Sequence, residues 1–224
     1  MVKDVFTFLV GGKAGEGIRK AGAVAARLFA NTGRQVFHMD DYGSLIKGGH
    51  NFSVVSTATR RITSHYMNAD LVVAPDRRSY DLHKEHLTDG GILAYNSDAV
   101  KDAEGVGVPL MTEAKKYPNP DLRIGVGAVA ILAAAVGCEK DCLKKIIDQE
   151  YPRDIEHNIA YAMSIYDMVH PQIGGKFRLE NGDRERPILT GNEAIALGAA
   201  AGGLDLYFAY PMTRSSAILH YLAA

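Results

Sequence analysis

The sequence predicts a three-layer α/β/α fold with a mostly parallel, mixed sheet, a helix-rich C-terminal part, and a short appended piece of a second α/β domain. Three observations carry this expectation. Short β-like apolar runs alternate with runs at helical spacing, the pattern of a layered α/β domain. A glycine-rich turn closes the first apolar run and opens the first helical one. Composition then shifts over residues 173–187 to a charged, glycine-bearing stretch, beyond which only three elements follow.

Taken in order, residues 5–10 read as a compact apolar strand and residues 11–15 as the glycine turn. Residues 16–30 carry helical spacing through Ile18, Gly22, Ala25, Ala26 and Phe29, and Asn31 and Gly33 end that helix. Residues 35–39 read as a second strand, completing a βαβ unit with a right-handed crossover. Residues 40–49 read as a polar loop. In the next strand Phe52, Val54 and Ser56 share one face, with Ser53 and Val55 on the other. Residues 71–74 form a short buried strand closed by Pro75, followed by a helix around 79–87. Asp89-Gly90-Gly91 turns the chain into a strand at 92–95, and residues 106–110 add another. Three helices follow at 123–136, 140–149 and 154–169. Beyond the charged stretch, residues 192–201 read as a helix, 204–210 as a strand and 215–222 as a helix. Three elements are too few to enclose a core of their own.

The bulk properties narrow the function. The chain has 224 residues, 47% hydrophobic and 23% charged, with a formal net charge of -1. No basic surplus is present to neutralise a phosphate backbone, so nucleic-acid binding is disfavoured. No apolar run approaches the roughly 20 residues of a membrane span, and the N-terminus lacks the apolar stretch and cleavage site of a signal peptide. A cytoplasmic location is expected. Cys138 and Cys142, the only cysteines, are spaced i,i+4 and read as two reduced thiols. An iron–sulfur cluster needs about four thiolates, so this chain cannot hold one alone.

The strongest local motif is VGGKAGEGI at residues 10–18, where a strand turns into a helix. Its glycines allow positive φ and close backbone approach, and the helix start offers unpaired N–H groups to an anion. It is neither a Walker A loop nor a G-x-G-x-x-G fingerprint, so a tight packing turn is an equally valid reading. The second motif is DDYGSLIKGGHN at residues 40–51, placed where open α/β sheets build a ligand crevice. There Lys47 stands beside Gly48 and Gly49, so two glycine-bearing loops and a lysine converge on one anionic group. Asp40 and Asp41 read as a solvated turn, and His50 as a structural histidine.

These two loops, followed by ADLVVAPD at residues 69–76, resemble the gamma domain of 2-oxoacid:ferredoxin oxidoreductases. GNEAIALGAAAGGLDLYFAYPMTRSSAI at residues 191–218 resembles the start of that family's alpha domain. The resemblance implies a gamma domain over residues 1–172, a linker over 173–187 and an incomplete thiamine pyrimidine-binding domain over 188–224. It implies a role in coenzyme A binding and assembly, within an enzyme that decarboxylates a 2-oxoacid and reduces ferredoxin. Carried over, the cofactor contacts are Gly11, Gly12, Lys13, Gly15 and Gly17 in the first loop, and Lys47, Gly48 and Gly49 in the second. Thr213 matches the family's threonine beside thiamine diphosphate and the oxoacid, while Arg214 and Ala217 depart from its Tyr-Pro-Ile-Thr-Pro-Ser-Ser-Glu pattern.

On this resemblance the thiamine diphosphate and iron–sulfur clusters belong to the complete complex. The partners are its alpha and beta subunits and ferredoxin, in a hetero-oligomer, with a homodimer open to the chain in isolation. The isolated chain is expected to be inactive, because the remaining thiamine-domain sequence, with its activating glutamate, would lie beyond Ala224. The residues leave two other readings: a stand-alone nucleotide- or phosphate-binding module, and a purely structural assembly module.

Overall fold

The computed structural model of the chain describes residues 2–42, 49–210, 212 and 215–224. It divides into two compact units, Met1–Arg186 and Pro187–Ala224.

The first unit is built on a six-stranded sheet in the order β2-β3-β1-β4-β5-β6. The strands are β1 (Phe6–Lys13), β2 (Gln35–Tyr42), β3 (His50–Ala58), β4 (Ala69–Ala74), β5 (Leu87–Asn96) and β6 (Val106–Val108). β1, β4, β5 and β6 run parallel, whereas β3 runs antiparallel to both β1 and β2. The sheet is therefore mixed, and the expected βαβ unit is split. β1 and β2 do not touch, because β3 lies between them and takes the hydrogen bonds of both, with Lys13 opposite His50 and Tyr42 opposite Asn51. Asp40 and Asp41, expected in a solvated turn, instead extend β2, paired with Ser53 and Phe52.

Side chains alternate across the sheet, so the central strands β1, β3, β4 and β5 feed two cores. Phe6, Phe8, Val10, Val55, Leu71 and Val73 face the larger one. It is covered by α1 (Ile18–Asn31), α4 (Ile124–Ala135), α5 (Lys140–Glu150) and α6 (Ile155–Ile173). Every residue of α4 is buried, as its all-apolar, small-residue composition requires. Leu9, Val54, Val72 and Leu93 face the smaller core, which Tyr80 of α2 (Arg77–His83) closes. A short α3 (Leu110–Ala114) follows β6. No described helix is long and apolar enough to cross a membrane.

The stretch read as a linker begins at Ile173, the last residue of α6, and most of it is bonded to the first unit. Gly175 and Phe177 donate backbone N–H groups to Ala134 and Ala135, and Gly182 donates to Thr32. Phe177 is fully buried, its ring 5.1 Å from Phe6. Arg34 accounts for the rest: its buried guanidinium donates to the carbonyls of Glu180 at 2.6 Å and Asp4 at 2.7 Å.

In the second unit, α7 (Gly191–Ala201) starts at a capping box, in which Thr190 and Glu193 each accept the other's backbone N–H. It packs on α8 (Ser216–Leu222). Residues 204–210, expected as a strand, are irregular, and Phe208 is 87% exposed. A strand is stable only when a neighbour takes its hydrogen bonds, and among the described residues none is offered here. Only Ala196 is buried among the unit's described residues.

Candidate functional site

The topology places a crevice at one edge of the sheet. From β1 the chain leaves through α1 toward β3 and β2, on the larger-core face. From β4 it leaves through α2 toward β5, on the opposite face. Adjacent parallel strands whose connections diverge in this way leave an opening beyond their carboxyl ends, the usual ligand position in open α/β sheets. A cleft of about 270 Å³ lies there, lined by Lys13, His50, Asp76, Arg77, Arg78 and Ala99.

Three of its six lining residues are cations, and the fold explains their positions. Lys13 is the last residue of β1 and is exposed. Arg77 and Arg78 open α2 directly beyond β4, where Asp76 caps the helix by accepting the Ser79 N–H at 2.8 Å. Arg77 is pinned by Asp81 at 2.8 Å and the Lys101 carbonyl at 3.2 Å. The sequence reading did not single out Asp76, Arg77 and Arg78 for function. The available signal was a charged triplet directly after an apolar strand closed by Pro75.

The glycine loop is put to several uses. Gly11 and Gly12 lie in β1, opposite Phe52 and Asn51, and there they satisfy a packing demand. A Cβ at Gly11 would come within 2.9 Å of His83, and one at Gly12 within 2.5 Å of Ile18. Gly15 and Gly17 adopt φ of 102° and 77°, which disfavours any side chain. Gly15 faces open space, and Gly17 begins α1 with no side chain capping the helix. The first-turn N–H groups of α1 thus have no intrahelical partner. The Lys13 N–H, however, is already taken by the Glu16 carboxylate at 2.7 Å. Burial raises the Glu16 pKa above its ordinary value, against that hydrogen bond.

Beyond the pairing of Gly12 and Lys13 with Asn51 and His50, the second loop meets the first where the Gly49 carbonyl accepts the Ala14 N–H at 2.7 Å. Lys47 and Gly48 lie outside the described residues, as does Thr213.

One lining residue, His50, is paired with a buried second histidine, His83. The Nε2 atoms of His50 and His83 stand 3.1 Å apart, with the rings stacked at 5.2 Å and Phe52 tilted against His83. Burial, reinforced by His50 and His86, lowers the His83 pKa to about 4. Burial lowers His50 as well, with Arg78 acting in the same direction against Asp76 and Asp41. At neutral pH both rings are therefore uncharged, and one donates to the other. The cleft's positive charge comes from Lys13, Arg77 and Arg78.

A neighbouring cluster contains Ser, His and Asp but not the geometry of a nucleophile. Ser53 Oγ donates to Asp40 at 2.7 Å and meets His38 Nε2 at 2.8 Å, while His38 also meets Asp40 at 2.9 Å. Ser53 is fully buried beneath α1, so closely that a Cβ on Gly22 would lie 1.8 Å from its hydroxyl. The cluster ties β2 and β3 to α1. Among the described residues no group of three His, Cys, Asp or Glu side chains is arranged to hold a metal ion.

Comparison with known proteins gives a consistent result. Residues 7–168 match the family model described as pyruvate ferredoxin/flavodoxin oxidoreductase. The chain is 25% identical over 265 residues to the alpha subunit of 2-oxoacid:ferredoxin oxidoreductase 2 of Aeropyrum pernix, covering 94% of this chain and 41% of that one. Among solved structures it resembles the 2-oxoglutarate:ferredoxin oxidoreductase of Magnetococcus marinus with 2-oxoglutarate, coenzyme A and succinyl-CoA bound. That match has a TM-score of 0.81 at 22% identity, and covers 99% of this chain and 41% of that one. It also resembles the gamma subunit of a keto/oxoacid ferredoxin oxidoreductase from Geobacter sulfurreducens, with a TM-score of 0.64 at 20% identity, covering 74% of this chain and 97% of that one. The chain thus spans about two-fifths of the length of the first two of these proteins. With most of its first unit matched by the family model and the whole fold shared, the chain belongs to the pyruvate ferredoxin/flavodoxin oxidoreductase family.

Proposed function

We propose that the chain is a subunit, or part of one, of a 2-oxoacid:ferredoxin oxidoreductase, and that its first unit contributes to coenzyme A binding and to assembly of the enzyme. The reaction concerned is oxidative decarboxylation of a 2-oxoacid to its acyl-CoA with reduction of ferredoxin. The observation that supports this best is the cationic cleft at the divergence of β1 and β4, with Lys13, Arg77 and Arg78 around one opening. A bound coenzyme A supplies the thiol that accepts the acyl group. This chain's own residues would hold one of its phosphates: Arg77 through N–H groups already oriented by Asp81, Lys13 and Arg78 as mobile cations at the mouth. His50 lines the cleft as a neutral ring paired with the neutral His83, so the cleft gains no fixed charge there near pH 7. At about 270 Å³ the cleft fits a phosphate and its immediate attachment, and the rest of the ligand would lie against other surfaces of the complex.

The sequence-derived contacts remain part of this proposal in altered roles. Gly15 faces open space and Gly17 leaves the start of α1 uncapped, and Lys47, Gly48 and Gly49 would complete the rim. Thr213 would serve the thiamine site of a complete alpha domain. The two cysteines do not suffice for an iron–sulfur cluster, so electron transfer is assigned to partner subunits. A purely structural role for the glycine loop is favoured by one observation: Gly11 and Gly12 are required by packing alone.

The test separates the two. In the reconstituted enzyme, Arg78→Ala is expected to raise the KM for coenzyme A about 10-fold, the equivalent of about 1.4 kcal/mol, and to leave the oxoacid KM unchanged. An equal rise in both constants, or none, would refute the coenzyme A role.

A further inference from the structure

The first unit contains a second, larger cavity that shares no residue with the crevice. It is a groove of about 770 Å³ running past the C-terminal end of α1, the turn after α4 and the first turns of α5. Leu28, Phe29, Val136 and Ile146 supply much of its apolar wall, and both cysteines of the chain line it.

Their placement is specific. Glu139 is the N-cap of α5, so Cys138 lies just outside the helix and Cys142 is its third residue, one turn further on. Neither thiol is in a disulfide, and the Cys138 S–H donates to the Glu139 carbonyl at 3.7 Å. Cys142 is exposed and Cys138 half-buried. The Glu139 side chain does not cap the helix, which leaves first-turn N–H groups and their partial positive charge near Cys142. The charged side chains lining the groove are Glu139, Asp141 and Lys145. From α6, Tyr166 donates its hydroxyl to the Cys138 carbonyl at 3.0 Å, and Asp167 is paired with Lys140 at 2.6 Å. The neighbouring Cys138 thiol lowers the Cys142 pKa to about 7, aided by Lys145 and opposed by burial and by Glu139. The Cys142 thiol, with burial, pushes Cys138 upward.

We propose that Cys142 is a site of thiol–disulfide exchange with low-molecular-weight disulfides, and that Cys138 resolves the adduct into an internal Cys138–Cys142 disulfide. In the first step the Cys142 thiolate attacks one sulfur of the small disulfide. The S–S bond breaks, a mixed disulfide forms on Cys142, and one thiolate leaves. Cys138 still holds its proton at this stage. That proton passes to the released thiolate, and Cys138 attacks the Cys142 sulfur and expels the second thiolate, which takes up the proton lost when Cys142 ionised. The protein loses two electrons and two protons, and the small disulfide gains both as two thiols. The apolar wall beside the cysteines gives the incoming reagent a surface to lie on, and the spacing of one helical turn keeps the resolving sulfur within reach.

The test uses the reduced full chain treated with oxidised glutathione, quenched with acid at intervals and read by intact mass. Wild type is expected to lose the two thiol hydrogens without accumulating an adduct. Cys138→Ser is expected to accumulate one glutathione, on Cys142, at the wild-type rate. Cys142→Ser is expected to react about 10-fold more slowly, since its remaining thiol is little ionised near pH 7. A wild-type chain that stays unmodified, or whose first adduct is on Cys138, would overturn the proposal. A stable glutathione adduct on wild-type Cys142 would overturn the resolving role of Cys138.

Discussion

Gly125 is the second residue of α4, and it sits against the backbone of the glycine loop. Its N–H donates to the Glu16 carbonyl at 2.9 Å. A Cβ there would lie 2.6 Å from the Gly17 carbonyl oxygen, about 0.8 Å inside the 3.4 Å at which ordinary contact begins. All three nearest atoms belong to the backbone of Glu16 and Gly17, so no side chain can rotate away. Gly125→Ala must therefore move the N-terminus of α4 away from the loop. Overpacking of this kind costs about 3 kcal/mol at the upper end, and the helical preference of Ala over Gly returns about 1 kcal/mol. A net loss of about 2 kcal/mol is expected, seen in urea unfolding as a lower midpoint with unchanged slope. Gly198→Ala is the internal control, because a Cβ there meets nothing within 4 Å. It adds the helical preference without the clash. A midpoint for Gly125→Ala equal to or above wild type would refute the claim that the loop is held by backbone contact with α4.

Two further outcomes follow from buried charge. Arg34→Ala should cost about 3 kcal/mol and speed tryptic cleavage at Arg184 and Arg186, because the Glu180 and Asp4 carbonyls lose their buried donor; an unchanged cleavage rate would sink this account. His83 has a folded pKa of about 4, below the ordinary 6.5, so between these values the unfolded chain binds the proton more readily than the folded one. Stability should therefore fall as pH drops from about 6.5 to 4, by on the order of 2 kcal/mol, and His83→Gln should flatten that slope in denaturant titrations; the same slope in the variant would show that His83 is not its source.

Much of the architecture was legible in local pattern. The apolar run in β1 and the spacing in α1 identify themselves, and the unbroken small apolar sequence of α4 already says that it is buried all round. The glycine turn was legible too, because positive φ at Gly15 and Gly17 and a bare helix start are demands met in the sequence itself. Its partners were not. Lys13 meets Arg77 and Arg78 only because β1 and β4 pair in parallel with Val10 opposite Val73, and no periodicity records which strand lies beside which.

The same limit explains the departures. Strand period gives the two faces of β3, yet not its place between β1 and β2, which depends on where its backbone hydrogen bonds are taken up. Residues 204–210 have the composition of a strand, but a strand is completed by a neighbour rather than by its own side chains. The charged stretch ending near Arg186 looks solvated by composition, but the buried guanidinium of Arg34 draws in its Glu180 carbonyl. The sequence alone determined most of the elements of the first unit and the local chemistry of the loop. The tertiary structure decided which charges share a crevice and which backbone groups are satisfied at long range, because those free energies belong to pairs of segments and are invisible within either one.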